Sequence, residues 1–291
     1  MSTSPTTICT RTEPVVRGDD ALDVRSLSIP GASGALVARL YRAAVRADGL
    51  VDTLLVFFHP GGFVSGSVED SDPCMRDFAS HIDASLLSSS YAQAPGQPFP
   101  AAAEDAYAAI VDCAKHPKRY RWTGRTLVVG GVEAGGNLAA AAALMARDRH
   151  GPALDGQLLI VPMLDPGLSS DSMRCADESA SNDRLASRIA DGYRDYLPRA
   201  ADRVHPYACP LASSRVKDLP PTLVVAIDGD PLRDEANAYV QKLARAGTRA
   251  ELLTLQPSAA ARDLVDADER CRATFDAAAY SVINRFIASL T

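Results

Sequence analysis

Two glycine-containing turns hold the residues of this 291-residue chain best suited to chemistry. The first, His59-Pro60-Gly61-Gly62-Phe63, follows the apolar run Leu54–Phe58. Successive glycines allow two backbone N–H groups to converge on one acceptor, as an oxyanion hole requires. The same residues also suit a plain turn. The second, Gly131-Val132-Glu133-Ala134-Gly135-Gly136-Asn137, lies between the apolar run Leu127–Val129 and a small-residue segment that begins at Asn137. Small residues on both sides of position 133 suit a sharp strand–turn–helix elbow, which lifts its central side chain into a site and aims the next N–H at it. Such an elbow ordinarily carries a nucleophilic Ser. Here it carries Glu133.

For the two turns to meet, the strands before them must lie side by side. Apolar, β-rich runs predict strands at Leu54–Phe58, Leu86–Tyr91, Leu127–Val129, Leu158–Val161, Leu223–Ile227 and Glu251–Leu255. Helical spacing and good helix formers predict helices at Ala101–Cys113, Asn137–Arg149, Asp183–Leu197, Glu235–Ala246 and Thr274–Leu290. Strands alternating with helices imply βαβ units and a mostly parallel sheet covered on both faces. The glycine turns would then leave the carboxyl ends of strands, where open α/β sheets bind ligands. With no repeat or linker in the chain, residues 1–291 read as a single α/β domain. Helical pieces within 1–40 and 168–204 are expected to form a cap.

Composition narrows the function classes. Hydrophobic residues make up 47% and charged residues 23%, which excludes a disordered chain. A net charge of -6 without a basic run argues against nucleic acid or an anionic membrane as partner. The polar, Thr-rich start lacks the apolar stretch of a secretory signal, and no run reaches the ~18 apolar residues of a membrane span. The six cysteines form no C-x-x-C pair and no metal-ligand spacing, so reduced thiols in a cytoplasmic protein are expected, with no metal and no organic cofactor.

From about Leu40 to its end the chain resembles the hormone-sensitive-lipase-like group of α/β-hydrolases, which are mostly carboxylesterases. His59-Pro60-Gly61-Gly62-Phe63 is similar to the group's H-G-G-G-F loop. Tyr91-Ala92-Gln93-Ala94-Pro95 with Phe99-Pro100-Ala101 and Glu104-Asp105 is similar to its Y-R-L-A-P, F-P-A and E-D segment. Gly131 to Leu138 resembles its G-D-S-A-G-G-N-L elbow. Pro206-Tyr207, Pro210-Leu211 and Asp230-Pro231-Leu232-Arg233-Asp234-Glu235 complete the set. The resemblance implies an α/β-hydrolase fold with a helical cap and an oxyanion hole made by the N–H groups of Gly61, Gly62 and Ala134. It allows a homodimer.

The departures bear directly on mechanism. The group's triad is Ser, Asp and His. Glu133 stands at the Ser position and Asp230 at the Asp position, while the segment Leu255–Ala261 contains no His and places Ala260 where the base belongs. Val132 replaces the Asp before the nucleophile, and Pro60 is the second residue of the glycine loop. Without an imidazole nothing obvious deprotonates a hydroxyl, so the acyl-enzyme route is unsupported. With no His at the base position, Asp230 suits a structural role capping the loop that follows it.

Three readings of Glu133 remain open. It could be a general acid/base acting on a small carbonyl-containing substrate beside the hole, as in an atypical hydrolase, lyase or cyclase. It could be a covalent nucleophile, although no second group is evident for the water step. Or it could fold back into the hole and silence it, leaving a pseudo-hydrolase that binds a small ligand or a partner. A fourth route keeps residual carboxylesterase activity through a substitute base. His205, beside Pro206-Tyr207, is the best candidate for that base, while His59 suits a structural role. Ser258 could supply a displaced hydroxyl, and Cys209 a thiol.

Overall fold

Parallel strands buried on both faces read as unbroken apolar runs, because helices cover the sheet above and below. The computed structural model describes residues 22–43, 49–175, 180–257 and 275–291. Eight strands are found among them: β1 (Leu22–Pro30), β2 (Ala35–Ala43), β3 (Val51–Phe58), β4 (Ser85–Ser89), β5 (Trp122–Val132), β6 (Gly156–Ile160), β7 (Thr222–Ile227) and β8 (Ala250–Leu255). They form one sheet in the order β1-β2-β4-β3-β5-β6-β7-β8. Pairing is antiparallel from β1 to β2 and from β2 to β4, and parallel in the remaining pairs. This is the α/β-hydrolase architecture implied by the resemblance.

The helices are α1 (Asp72–His81), α2 (Ala101–Lys115), α3 (Ala134–Asp148), the short α4 (Asp171–Arg174), α5 (Ala180–Tyr196), α6 (Arg233–Arg245) and α7 (Ala277–Ala288). Every residue of α3 from Ala134 to Ala146 is buried. Its small residues allow that. A Cβ on Gly135 would lie 2.0 Å from the Phe58 carbonyl oxygen, so the helix backbone rests directly on the end of β3. The expected start of this helix at Asn137 moves back to Ala134, because Gly135 and Gly136 serve as packing contacts rather than helix breakers.

The N-terminal expectation is corrected. Residues 22–40, assigned above to a cap of helical pieces, instead form β1, the turn after it and most of β2 at the sheet edge. Leu36, Ala38 and Leu40 are buried, while Ala35, Val37 and Arg39 between them are less so. That two-residue alternation is a strand signal. Residues 1–21 lie outside the described residues. The other expected cap segment contains α4 and α5. α1, absent from the expectations, packs Met75, Phe78 and Ala79 into the core.

Candidate functional site

Register brings the two glycine turns together. In the parallel β3–β5 pair, Phe58 lies opposite Gly131. The loop that opens at His59 therefore leaves the sheet beside the elbow that turns at Glu133. Glu133 has φ 55° and ψ -112°, in the positive-φ region that side chains seldom adopt. Its N–H donates to the Ile160 carbonyl at 3.0 Å, and its carbonyl accepts from Met163 N at 3.0 Å and Asn137 N at 3.2 Å. Strand β6, the segment after it and the first turn of α3 thus pin the elbow.

The side chain of Glu133 folds back towards the glycine loop. Its Oε2 accepts from Gly61 N at 2.8 Å and from Gly62 N at 3.2 Å. The residue is only 4% exposed. Two of the three expected oxyanion donors therefore converge on one oxygen, and that oxygen belongs to the protein. Among the described residues Ala134 N–H gives Glu133 no hydrogen bond, and Oε1 accepts none.

The loop has its own supports. Gly61 (φ 127°) and Gly62 (φ 59°) take positive φ, which glycine adopts without steric cost. Val64 N and Ser65 N donate to the Gly61 carbonyl at 3.1 and 3.0 Å. His59 donates from Nδ1 to the Pro60 carbonyl at 2.7 Å and stacks on Tyr91 at 4.3 Å between ring centroids. The Tyr91 hydroxyl donates to the His59 carbonyl at 3.0 Å. Burial holds the His59 pKa below its ordinary value and keeps the ring neutral. His59 is a strut of the loop and makes no described bond to Glu133.

Asp230 lies in the turn after β7 and is 2% exposed. Its Oδ1 accepts from Leu232 N at 2.7 Å, and its carbonyl accepts from Arg233 N at 3.0 Å, at the entrance to α6. No described hydrogen bond joins it to Glu133. His205 is exposed. Its ring packs on Phe99 and Tyr207, and its Nδ1 accepts from Tyr207 N at 3.2 Å. None of these contacts reaches the elbow. The Cys209 thiol donates to the Leu164 carbonyl at 3.4 Å, and burial pushes its pKa up to about 11, so it stays protonated near neutrality. Ser258 and Ala260 lie outside the described residues.

Two residues of the site escape the sequence reading. Glu235 is buried, and its Oε2 accepts from Leu164 N at 2.7 Å and Asp165 N at 2.6 Å. Burial raises its pKa well above the ordinary range. It anchors the segment whose Met163 N–H holds the Glu133 carbonyl. The motif around Asp230 contains it, but only Asp230 draws attention there. Gly192 lies in the C-terminal third of α5. A Cβ on Gly192 would come 2.3 Å from the Gly62 carbonyl oxygen, so the helix lies backbone to backbone on the glycine loop. Tyr196 stacks on Phe63 with centroids 3.9 Å apart, and Tyr193 tilts against the same ring at 5.7 Å. An isolated glycine within a predicted amphipathic helix is the signal for such a contact.

Residues 55–258 match a family described as the alpha/beta hydrolase fold. The chain belongs to the hormone-sensitive-lipase-like family of α/β-hydrolases. Relatives of this chain include the carboxylic ester hydrolase LipN of Mycobacterium tuberculosis, 35% identical over 238 residues, which cover 79% of this chain and 62% of LipN. The chain thus spans less than two thirds of that relative's length. Esterase LipI of the same organism is 34% identical over 238 residues, covering 81% of this chain and 73% of LipI. Among solved structures, an esterase of Pyrobaculum calidifontis superposes with a TM-score of 0.79 at 32% identity, covering 92% of this chain and 84% of that one. The chain therefore has the fold of proteins named as esterases. Among its described residues no helix is long and apolar enough to cross a membrane, and no group of three His, Cys, Asp or Glu side chains is arranged to hold a metal ion.

Proposed function

We propose that this α/β-hydrolase has left the serine acyl-enzyme route and acts as a ligand-binding member of its family, with Glu133 occupying its own oxyanion hole. The observation behind this reading is the pair of hydrogen bonds from Gly61 N and Gly62 N to Glu133 Oε2. An ester carbonyl must place its developing oxyanion where that carboxylate oxygen sits. Hydrogen bonds to a charged group contribute about 1.5–3 kcal/mol each. Vacating the hole therefore costs roughly 3–6 kcal/mol, equivalent to about 10²- to 10⁴-fold in rate. The position of His205 gives no support to a substitute base. Six thiols without a disulfide pattern in the sequence support a cytoplasmic setting for this role.

A second reading makes Glu133 the general base of an atypical enzyme acting on a small carbonyl compound. What favours it is Oε1, which accepts no hydrogen bond among the described residues and is therefore available to a proton. Oε2 would stay anchored while Oε1 works. This reading still requires a second polar group to hold the substrate oxygen.

Hydrolysis of p-nitrophenyl acetate and butyrate by the wild type, Glu133→Ala and His205→Ala separates these readings. The binding reading expects all three proteins to match the buffer rate. Wild-type turnover lost in Glu133→Ala would overturn it and make Glu133 a working base. Turnover lost only in His205→Ala would overturn it in favour of a residual esterase.

A further inference from the structure

We propose that Glu133 is an internal ligand. The glycine-loop hole is a receptor for a carboxylate, filled in the resting chain by the chain's own side chain, and a small free monocarboxylate is the ligand class that fits it once that side chain is gone. This rests on the reading above that Glu133 occupies the hole, and adds the chemistry that the hole recognises. The bonds are those a free acid anion would make: backbone N–H donors on one carboxylate oxygen, at 2.8 and 3.2 Å. Such donors do not distinguish a carboxylate tethered at position 133 from one in solution.

The receptor does not depend on Glu133 for its shape. Val64 N and Ser65 N close the turn on the Gly61 carbonyl, and Tyr91 and His59 tie the two carbonyls before it. Removing the side chain leaves Gly61 N and Gly62 N aimed at an empty position. Cutting Glu133 back to Ala removes one methylene and one carboxylate, which is acetate less one hydrogen. Cutting it back to Gly removes the equivalent of propionate. Enclosure limits length. Glu133 is only 4% exposed, so the space its side chain would vacate is enclosed by the protein. An acid longer than the vacated space meets the surrounding protein. In the wild type, Glu133 has the advantage of being tethered, which raises its effective concentration over any dissolved acid.

The test follows the Gly61 and Gly62 amide signals in protein labelled with ¹⁵N-glycine, while sodium acetate replaces sodium chloride at constant ionic strength. Glu133→Ala is expected to give saturable downfield shifts of both signals, with acetate binding at least tenfold tighter than butyrate, and the wild type is expected not to move. Glu133→Gly with propionate is a parallel arm, because glycine adopts a φ of 55° without strain. Far-UV circular dichroism confirms that each variant is folded. A folded Glu133→Ala or Glu133→Gly without saturable shifts overturns the proposal, as does a wild type that binds acetate equally well. Ester hydrolysis by the wild type would sink the functional reading alone, leaving acetate binding by Glu133→Ala in place.

Discussion

At the scale of single residues, two buried carboxylates are each held by two backbone N–H groups from different parts of the fold. Glu133 takes two backbone N–H bonds on one oxygen at the mouth of a glycine loop. Glu235 also takes two backbone N–H bonds on one oxygen, from Leu164 and Asp165, but it lies in the interior near Asp165 and Asp230. Burial outweighs the two donors there and raises its pKa well above the ordinary 4.5. The sign for stability follows. The folded chain keeps a proton that the unfolded chain releases above about pH 4.5. The contribution is full below that pH and is lost as pH rises towards the folded pKa. Glu235→Gln cannot ionise and has no such loss. Its unfolding free energy relative to wild type, from urea titrations near about pH 5 and about pH 8, is expected to improve at the higher pH. A gap that stays constant with pH would contradict this assignment.

At the scale of elements, the site is a contact between β3, β5, α3 and α5, made through glycines. Gly135 lets α3 sit on the end of β3, and Gly192 lets α5 sit on the loop that follows β3. Alanine in a helix interior is ordinarily better than glycine by about 1 kcal/mol. At position 192 that gain meets a Cβ placed 2.3 Å from the Gly62 carbonyl oxygen, and overpacking of this kind costs about 1–3 kcal/mol. Gly192→Ala is therefore expected to lower stability in urea despite its better propensity. It is also expected to speed hydrogen exchange at Gly61 and Gly62, because the lifted helix exposes the loop. Unchanged exchange and raised stability would show that α5 does not press on the loop.

At the scale of the whole molecule, one sheet links every layer. Trp122, the sole tryptophan, opens β5 and is 4% exposed. Its indole donates to the Asp52 carbonyl at 2.8 Å across the β3–β5 pair. Its fluorescence therefore reports the pairing of β3 with β5. If residues 1–291 fold as a single unit, urea unfolding followed by Trp122 fluorescence and by far-UV circular dichroism is expected to give one coincident transition. Two separated midpoints would divide the chain into independently folding parts.

Apart from α1 and the short α4, the order of strands and helices from β3 onwards was legible in the sequence, because fully buried parallel strands must be short apolar runs and their covering helices must repeat every three or four residues. The identity of the elbow residue was legible too, since small residues around position 133 permit little else. The N-terminal strands were missed because half-buried alternation such as Leu36, Ala38 and Leu40 is a weak signal over so few residues. What Glu133 touches was not legible. Its type allowed a base, a nucleophile or a plug, and only the register of Phe58 opposite Gly131 brings the N–H groups of Gly61 and Gly62 within reach of its carboxylate. Residue type sets which charge is present. Which dipoles surround that charge depends on strands far apart in the chain, so the tertiary structure alone decides it.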